Sequence, residues 1–147
     1  MKDTDVNRFL ELRHFPPSAE QISNFIEQMN ISTDNLFLGI FLKSGLHIGN
    51  IKLGPVNVIN KRAAIGLLIG NKDSWGKGFA SEAIQIITSY AFENLSLHRV
   101  EAGCYSNNLG SCKAFIKNGF SEEARLKDYF ISNKNWEDQI LFAKFNS

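Results

Sequence analysis

The stretch Ser74-Trp75-Gly76-Lys77-Gly78-Phe79-Ala80-Ser81-Glu82-Ala83 follows an apolar run, Ala63 to Gly70, and leads directly into a segment of helical periodicity. Gly76 and Gly78 permit backbone angles that a Cβ hinders, so successive N–H groups can converge on one point as a helix begins. The fixed partial positive charge of the helix N-terminus adds to that convergence, and phosphate is the usual ligand of such a cradle. A Gly-x-Gly before a helix also serves as a plain tight turn, so the loop alone does not decide between the two. Other chemistry-bearing residues are sparse. Cys104 and Cys112 are the only two cysteines and form no C-x-x-C, and His14, His47 and His98 are scattered. Neither a metal-ligand spacing nor a disulfide framework is present in that pattern.

A chain of 147 residues suits one domain, residues 1–147, with enough length to bury a core. Sixteen Lys and Arg stand against fifteen Asp and Glu. That balance argues against a protein whose main business is holding a nucleic-acid backbone. The start, Met1-Lys2-Asp3-Thr4-Asp5, lacks the apolar core of a signal peptide. The longest apolar runs, Leu36–Leu42 and Ala63–Gly70, are far shorter than the ~20 residues that span a bilayer. The expectation is a soluble cytoplasmic protein with no membrane partner.

The elements that must position the loop follow from periodicity. Residues 5–13 read as a short helix with Val6, Phe9, Leu10 and Leu12 on its apolar side, ended by His14-Phe15-Pro16-Pro17. Ser18 and Gln21 form a capping box that opens a helix to about Met29, with Ile22, Phe25, Ile26 and Met29 on one face. Leu36–Leu42 and Leu46–Leu53 read as strands of a hairpin, and Arg62–Ile69 as a third strand buried on both faces. Phe79–Phe92 is an amphipathic helix whose stripe is Phe79, Ala83, Ile84, Ile87 and Ala91. The strand His98–Tyr105 completes a right-handed crossover with parallel strands. Ligands of such sheets bind at the carboxyl ends of strands, where the Gly-x-Gly loop falls. Asn108–Asn118 is a further short helix with Ala114, Phe115 and the stem of Lys117 turned inward or towards a cleft, and Gly119 is its C-cap. Phe120–Phe130 and Trp136–Phe145 form a terminal hairpin.

Three features in this order, Trp75-Gly76-Lys77-Gly78-Phe79-Ala80, Asn108-x-x-Ser111 and Lys117-Asn118-Gly119-Phe120, resemble the GNAT superfamily of acetyl-CoA-dependent N-acetyltransferases, in particular the branch that includes RimJ and RimL. The resemblance runs from about Thr4 to Phe145. It implies an α/β (α+β) fold with a mixed, mainly antiparallel sheet, a central parallel strand pair and flanking helices. It also implies acetyl-CoA as co-substrate, without a metal. Gly76 to Ser81 (Gly76, Lys77, Gly78, Phe79, Ala80 and Ser81) would bind the pyrophosphate, with Trp75 heading the loop where the superfamily commonly has Arg or Gln. Lys77 would add charge or stand as a solvated helix-start lysine. Gly66-Leu67-Leu68-Ile69 would run along the pantetheine arm, with an N–H near Leu68 facing the thioester carbonyl. Asn108 would bond the arm from the other side, cap the helix, or do both. Ser111 would donate to the departing thiolate. Phe115 stands where many members carry a tyrosine proposed as general acid, and it cannot donate a proton.

The chemistry implied is direct attack by a neutral amine, an oxyanion needing a donor, and departure of a thiolate. An α-amino group, pKa ~7.7–8.0, is partly neutral at physiological pH, whereas a lysine at ~10.4 is hardly so. The cysteines lack an obvious activating partner and read as small core residues. Candidate bases are Glu101, on the strand beside the cofactor cleft, and Asp128 and Tyr129 near the place where a RimL-like enzyme has a catalytic glutamate; the nearest match there is Phe130. Family members begin with a strand and helix for which this chain has no residues. That implies an uncovered edge on Leu36–Leu42 and a homodimer. The acceptor is expected to be a small amine such as an amino sugar or polyamine, or a protein N-terminus. The rival from another class is a non-catalytic CoA-binding module.

Overall fold

The structure, a computed structural model, describes residues 17–147. The helix expected over residues 5–13 lies outside them. The described elements are α1 (Ala19–Ile31), β1 (Leu36–Phe41), β2 (His47–Leu53), β3 (Arg62–Ile69), a 3-10 turn (Lys72–Ser74), α2 (Phe79–Glu93), β4 (Arg99–Tyr105), α3 (Leu109–Lys117), β5 (Ser121–Ser132) and β6 (Asn135–Phe145). The strands form one 6-stranded sheet in the order β1-β2-β3-β4-β6-β5. Only β3 and β4 run parallel; every other neighbouring pair is antiparallel. β1 is the sheet edge among the described residues, as expected for Leu36–Leu42. None of the described helices is long and apolar enough to cross a membrane.

Local signals explain the boundaries. The capping box at α1 is present in both directions: Gln21 N–H donates to Ser18 Oγ at 3.2 Å and Ser18 N–H to Gln21 Oε1 at 2.8 Å. The apolar face of α1 packs only lightly. Phe25 meets Phe37 of β1 edge-on at 5.6 Å between ring centroids, and no α1 residue is fully buried. The terminal hairpin turns on Asn133 and Lys134, both at positive φ (50° and 65°), which matches a two-residue turn to the twist of its strands.

The core lies between the sheet and α2 and α3. Ile84, Ile87 and Ala91 of α2 and Cys112 and Phe115 of α3 pack on Ile51, Leu53, Ala63, Ile65, Val100, Ala102, Cys104, Ile140 and Phe142. Strand alternation therefore assigns two faces. Ala63, Ile65, Val100, Ala102 and Cys104 point to the helices; Gly66, Leu68, Glu101, Gly103 and Tyr105 point to the other, open face. The expectation that β3 is buried on both faces is corrected here. Ala63 and Ile65 are buried, but Gly66 is exposed and Leu67, Leu68 and Ile69 are partly exposed, because the strand borders a cleft rather than a second layer.

β2 and β3 come unusually close at Gly49. A Cβ there would collide with the Leu68 carbonyl oxygen and reach Ile69 Cα at 3.0 Å. Gly49→Ala is expected to destabilise the fold by about 1–3 kcal/mol through overpacking. Urea unfolding should show a lower midpoint at unchanged slope; an unchanged midpoint would show that the strands separate freely at this point.

Candidate active site

β3 and β4 pair over three positions, Arg62–Arg99, Ala63–Val100 and Ala64–Glu101, and then separate. β3 stays paired to β2 as far as Ile69, and β4 to β6 as far as Tyr105. The divergence opens a wedge of about 890 Å³, within the range of small-molecule and cofactor sites. Consecutive residues of both strands, Gly66 to Ile69 and Gly103 to Tyr105, line it. Because neighbours on a strand face opposite ways, the wedge is reached from the helix face and from the open face alike.

The main-chain groups offered to the wedge follow from the hydrogen-bond pattern of β2 and β3. Gly54 N–H donates to Ala64 O at 2.8 Å and Gly70 N–H to Ile48 O at 2.9 Å. Bonded pairs alternate in an antiparallel ladder, so Leu68 belongs with Asn50 and turns its N–H and C=O towards β2. The groups left facing β4 are those of Leu67 and Ile69. Trp75 corroborates this, its indole Nε1–H donating to Ile69 O at 2.8 Å. The N–H expected near Leu68 therefore falls on Leu67 or Ile69 rather than on Leu68 itself, whose side chain lines the wedge.

At the helix-face end, Gly76 (φ 72°) and Gly78 (φ 84°) both take the left-handed conformation, and no side chain caps the first turn of α2. The N–H groups of Phe79, Ala80 and Ser81 therefore point into the wedge without an intrahelical partner. Trp75, Gly76, Gly78, Phe79, Ala80 and Ser81 all line it; Lys77, between the two turned glycines, is exposed and does not. Cationic charge comes instead from Lys113 and Lys117 of α3, one helical turn apart and both on the lining. Asn118 ties the two helices: its Nδ2 donates to Ser81 O and Ser81 Oγ, each at 3.0 Å, and to Ala114 O at 2.9 Å.

Asn108 caps α3, its Oδ1 accepting from Ser111 N–H at 3.3 Å, and both residues line the wedge. Ser111 Oγ accepts from the Cys104 thiol at 3.6 Å. Burial pushes that thiol up to about 12, with the Ser111 contact opposing. Cys104 is thus a lining residue as well as a core one.

Four candidates stand elsewhere. Phe115 shares a helix stripe with Cys112 and is turned into the core, 3% exposed, edge-on to Phe120 and stacked on Phe142. Glu101 is the last residue paired at the apex of the wedge and does not line it. Its Oε2 accepts from Arg99 Nε at 2.8 Å, while the rest of that guanidinium bonds Glu123. Asp128 and Tyr129 lie in an irregular stretch of β5, exposed and off the lining. Phe130 is the β5 residue that lines the wedge, and its ring stacks on Tyr105 at 3.9 Å and 13°. Tyr105 and Lys113 escaped the motif reading, and Phe130 entered it only as the residue standing nearest the place of the expected catalytic glutamate. The strand-end position of Tyr105 and the four-residue spacing of Lys113 to Lys117 were the available signals.

Residues 1–121 match the acetyltransferase (GNAT) domain family. The chain is 33% identical over 145 residues to an uncharacterized N-acetyltransferase of Bacillus licheniformis, p20, a match covering 96% of this chain and 80% of that one. It is 41% identical over 129 residues to the probable N-acetyltransferase YjcK of Bacillus subtilis, covering 86% and 70%. In fold it is similar to a spermidine N-acetyltransferase from Vibrio cholerae in complex with CoA and spermine, with a TM-score of 0.85 and 19% identity over 97% of this chain and 83% of that chain. With its turned glycines ahead of α2 and its wedge between the only parallel strands among the described residues, the chain belongs to the GNAT family of N-acetyltransferases.

Proposed function

We propose that residues 1–147 act as one acetyltransferase domain that holds acetyl-CoA in the wedge and passes its acetyl group directly to a primary amine entering from the open face. The observation that carries this reading is the continuity of the β3 edge that β4 leaves open, where Ile69 O already meets the Trp75 indole, with the uncapped start of α2. An extended ligand with alternating amide donors and acceptors, ending in a pyrophosphate, matches that run of groups. Leu67 and Ile69 bond the arm through their main chains, with Asn108 Nδ2 opposite. Gly76, Gly78 and the first N–H groups of α2 take the pyrophosphate, aided by Lys113 and Lys117. Trp75 heading the loop supports the finer placement beside RimJ and RimL.

The bound thioester supplies an activated carbonyl. An N–H of Leu67 or Ile69 is the donor for its developing oxyanion, and Ser111 Oγ is the donor for the departing sulfur. Proton removal from the amine runs through the open face, where Glu101 can act through water despite its bond to Arg99. Phe115, sealed in the core, has no part in it. A small amine is the favoured acceptor, supported by the spermine in the Vibrio cholerae structure; a protein N-terminus is the second class.

Mixing the protein with acetyl-CoA and a panel of polyamines, amino sugars and peptides with free N-termini, while following free-thiol release, tests the reading. Release with one class of amine is expected. Acetyl-CoA binding with no turnover on any amine would instead mark a non-catalytic CoA-binding module. Gly78→Val places a branched residue at positive φ, a strain of ~1–2 kcal/mol, and is expected to weaken acetyl-CoA binding roughly tenfold by calorimetry.

Cys104→Ala is expected to keep thiol release within about threefold of the parent, because a thiol raised to about 12 is protonated at neutral pH. The same shift fixes a stability trend. The unfolded thiol ionises at 9.0 and the folded one at about 12, so its contribution is complete below pH 9.0 and is lost as pH rises towards about 12. Cys112 is raised in the same direction, chiefly by burial. Urea midpoints at pH 8 and pH 11 should therefore differ less in Cys104→Ala than in the parent; an equal drop would assign the alkaline loss to other groups.

A further inference from the structure

On the open face the wedge ends at the stacked pair Tyr105 and Phe130, which come from strands that do not pair with each other. β4 pairs with β6, and β6 with β5. What brings the two rings together is an irregularity in β5. After a first register shift between Glu122 and Ala124, pairing runs regularly from Ala124–Leu141 to Leu126–Gln139 and resumes at Phe130–Glu137, so Lys127, Asp128 and Tyr129 face a single β6 residue, Asp138. Such a bulge leaves main-chain donors without a ladder partner. Here Asp128, at φ 50°, donates its N–H to Asp138 Oδ1 at 3.0 Å. The other carboxylate oxygen, Oδ2, accepts from Arg125 Nη1 at 3.3 Å. The main-chain carbonyl of Asp138 accepts from Ser106 N–H at 2.9 Å, directly after Tyr105. One residue thus holds the end of β4 and the bulge of β5.

We propose that Asp138 is a positioning residue for the acceptor side of the site: it latches the β5 bulge so that Phe130 lies on Tyr105 and closes the open-face end of the wedge to a fixed width. This rests on reading the wedge as the acetyl-CoA and amine site. Asp138 itself points to the helix face and lines no part of the wedge, so it acts through Phe130 alone. The latch is specific in chemistry. A carboxylate can accept from the turned Asp128 N–H and from a guanidinium at once, and charge strengthens both bonds. The Asp128 N–H holds the Asp138 carboxyl below the usual carboxylate range, with Arg125 adding to it. Released, the bulge can shift its register, and a slip of one residue turns Phe130 from the open face to the helix face. Phe130 is 8% exposed in the latched arrangement. The groups that bind acetyl-CoA on the proposed reading belong to β3, α2 and α3, and none of them contacts the latch.

The test compares Asp138→Leu and Asp138→Asn with the parent by two readouts. The first is independent of turnover: ring-proton shifts of Tyr105 and Phe130 by NMR, identified with a Phe130→Leu control. Stacking shifts should be present in the parent, largely kept in Asp138→Asn, which retains a carbonyl acceptor, and lost in Asp138→Leu. The second is steady-state kinetics. KM for the amine should rise about tenfold in Asp138→Leu and about twofold in Asp138→Asn, with KM for acetyl-CoA held within about twofold. Unchanged ring shifts in both variants overturn the latch, as does a parallel rise of both KM values, which marks a general loosening of the fold. If Asp138→Leu does not fold, Asp138→Ala, which removes both acceptor oxygens without adding bulk, takes its place under the same two readouts and the same expected split of KM values. A parent that binds acetyl-CoA but acetylates no amine overturns the reading of the wedge, while the ring shifts still judge the latch.

Discussion

Parallel pairing of β3 with β4 stops after Ala64–Glu101 while each strand remains fully paired to its other neighbour. Each half of the sheet is then free to follow its own twist, and the two halves part. A sheet interior that opens leaves main-chain groups without partners, which a fold tolerates only if water or a ligand takes them. The vacated edge of β3 presents Leu67 and Ile69 along a straight line, and the line ends where two left-handed glycines aim the first turn of α2. On the proposed reading, the split in the sheet suits a ligand that is long, amide-bearing and anionic at one end before any side chain is considered.

The two helices that cover one side of the split must be held at a set distance for this to work. α2 and α3 sit on different halves of the sheet, and Asn118 joins them through Ser81 and Ala114. Lys144 of β6 completes the tie, its Nζ donating to Asn118 O at 2.8 Å. The Asn118-Gly119 step that reads in sequence as a helix ending is thus also a brace across the cleft. A helix terminus supplies both functions at once because its last residues carry free polar groups and point back towards the neighbouring helix start.

The sequence was most legible where local chemistry decides. The capping box of Ser18 and Gln21, the stripe Ile84, Ile87 and Ala91, and the glycine cradle all depend on residues within a few positions of each other. It was least legible where a long-range packing choice decides. Phe115 is five positions from Gly110, so it falls well round the helix from the lining stripe of Gly110, Lys113, Ala114 and Lys117 and joins Cys112 in the core. Glu101 lies on the open face, but Arg99, two residues away on that same face, takes its carboxylate. An earlier irregularity of β5, between Glu122 and Ala124, defeats a reading by alternation from the strand start: it shifts the phase by one, so counting from Ser121 puts Tyr129 rather than Phe130 on the face of the wedge, while the three-for-one bulge after Leu126 leaves the alternation in step. Asp128 is a natural residue for the bulge because its short polar side chain tolerates the left-handed conformation.

The two faces of the wedge also differ in charge, which bears on how two reactants of opposite sign reach one point. Lys113 and Lys117 stand on the helix face beside the turned glycines. The open face has Glu101, balanced by Arg99, and Glu137, whose Oε2 accepts from Ser106 Oγ at 3.2 Å. A chain of near-zero net charge gives no long-range preference to either reactant, so sorting has to be local. On the proposed reading, the polyanionic donor is drawn to the lysine side and an ammonium acceptor to the carboxylate side. The Tyr105–Phe130 stack stands where the second path narrows, and an aromatic face there favours the approach of a cation while excluding water from the carbonyl it must reach. On the same reading the acceptor gives up its proton at the open face, the side on which solvent and the carboxylates of Glu101 and Glu137 lie.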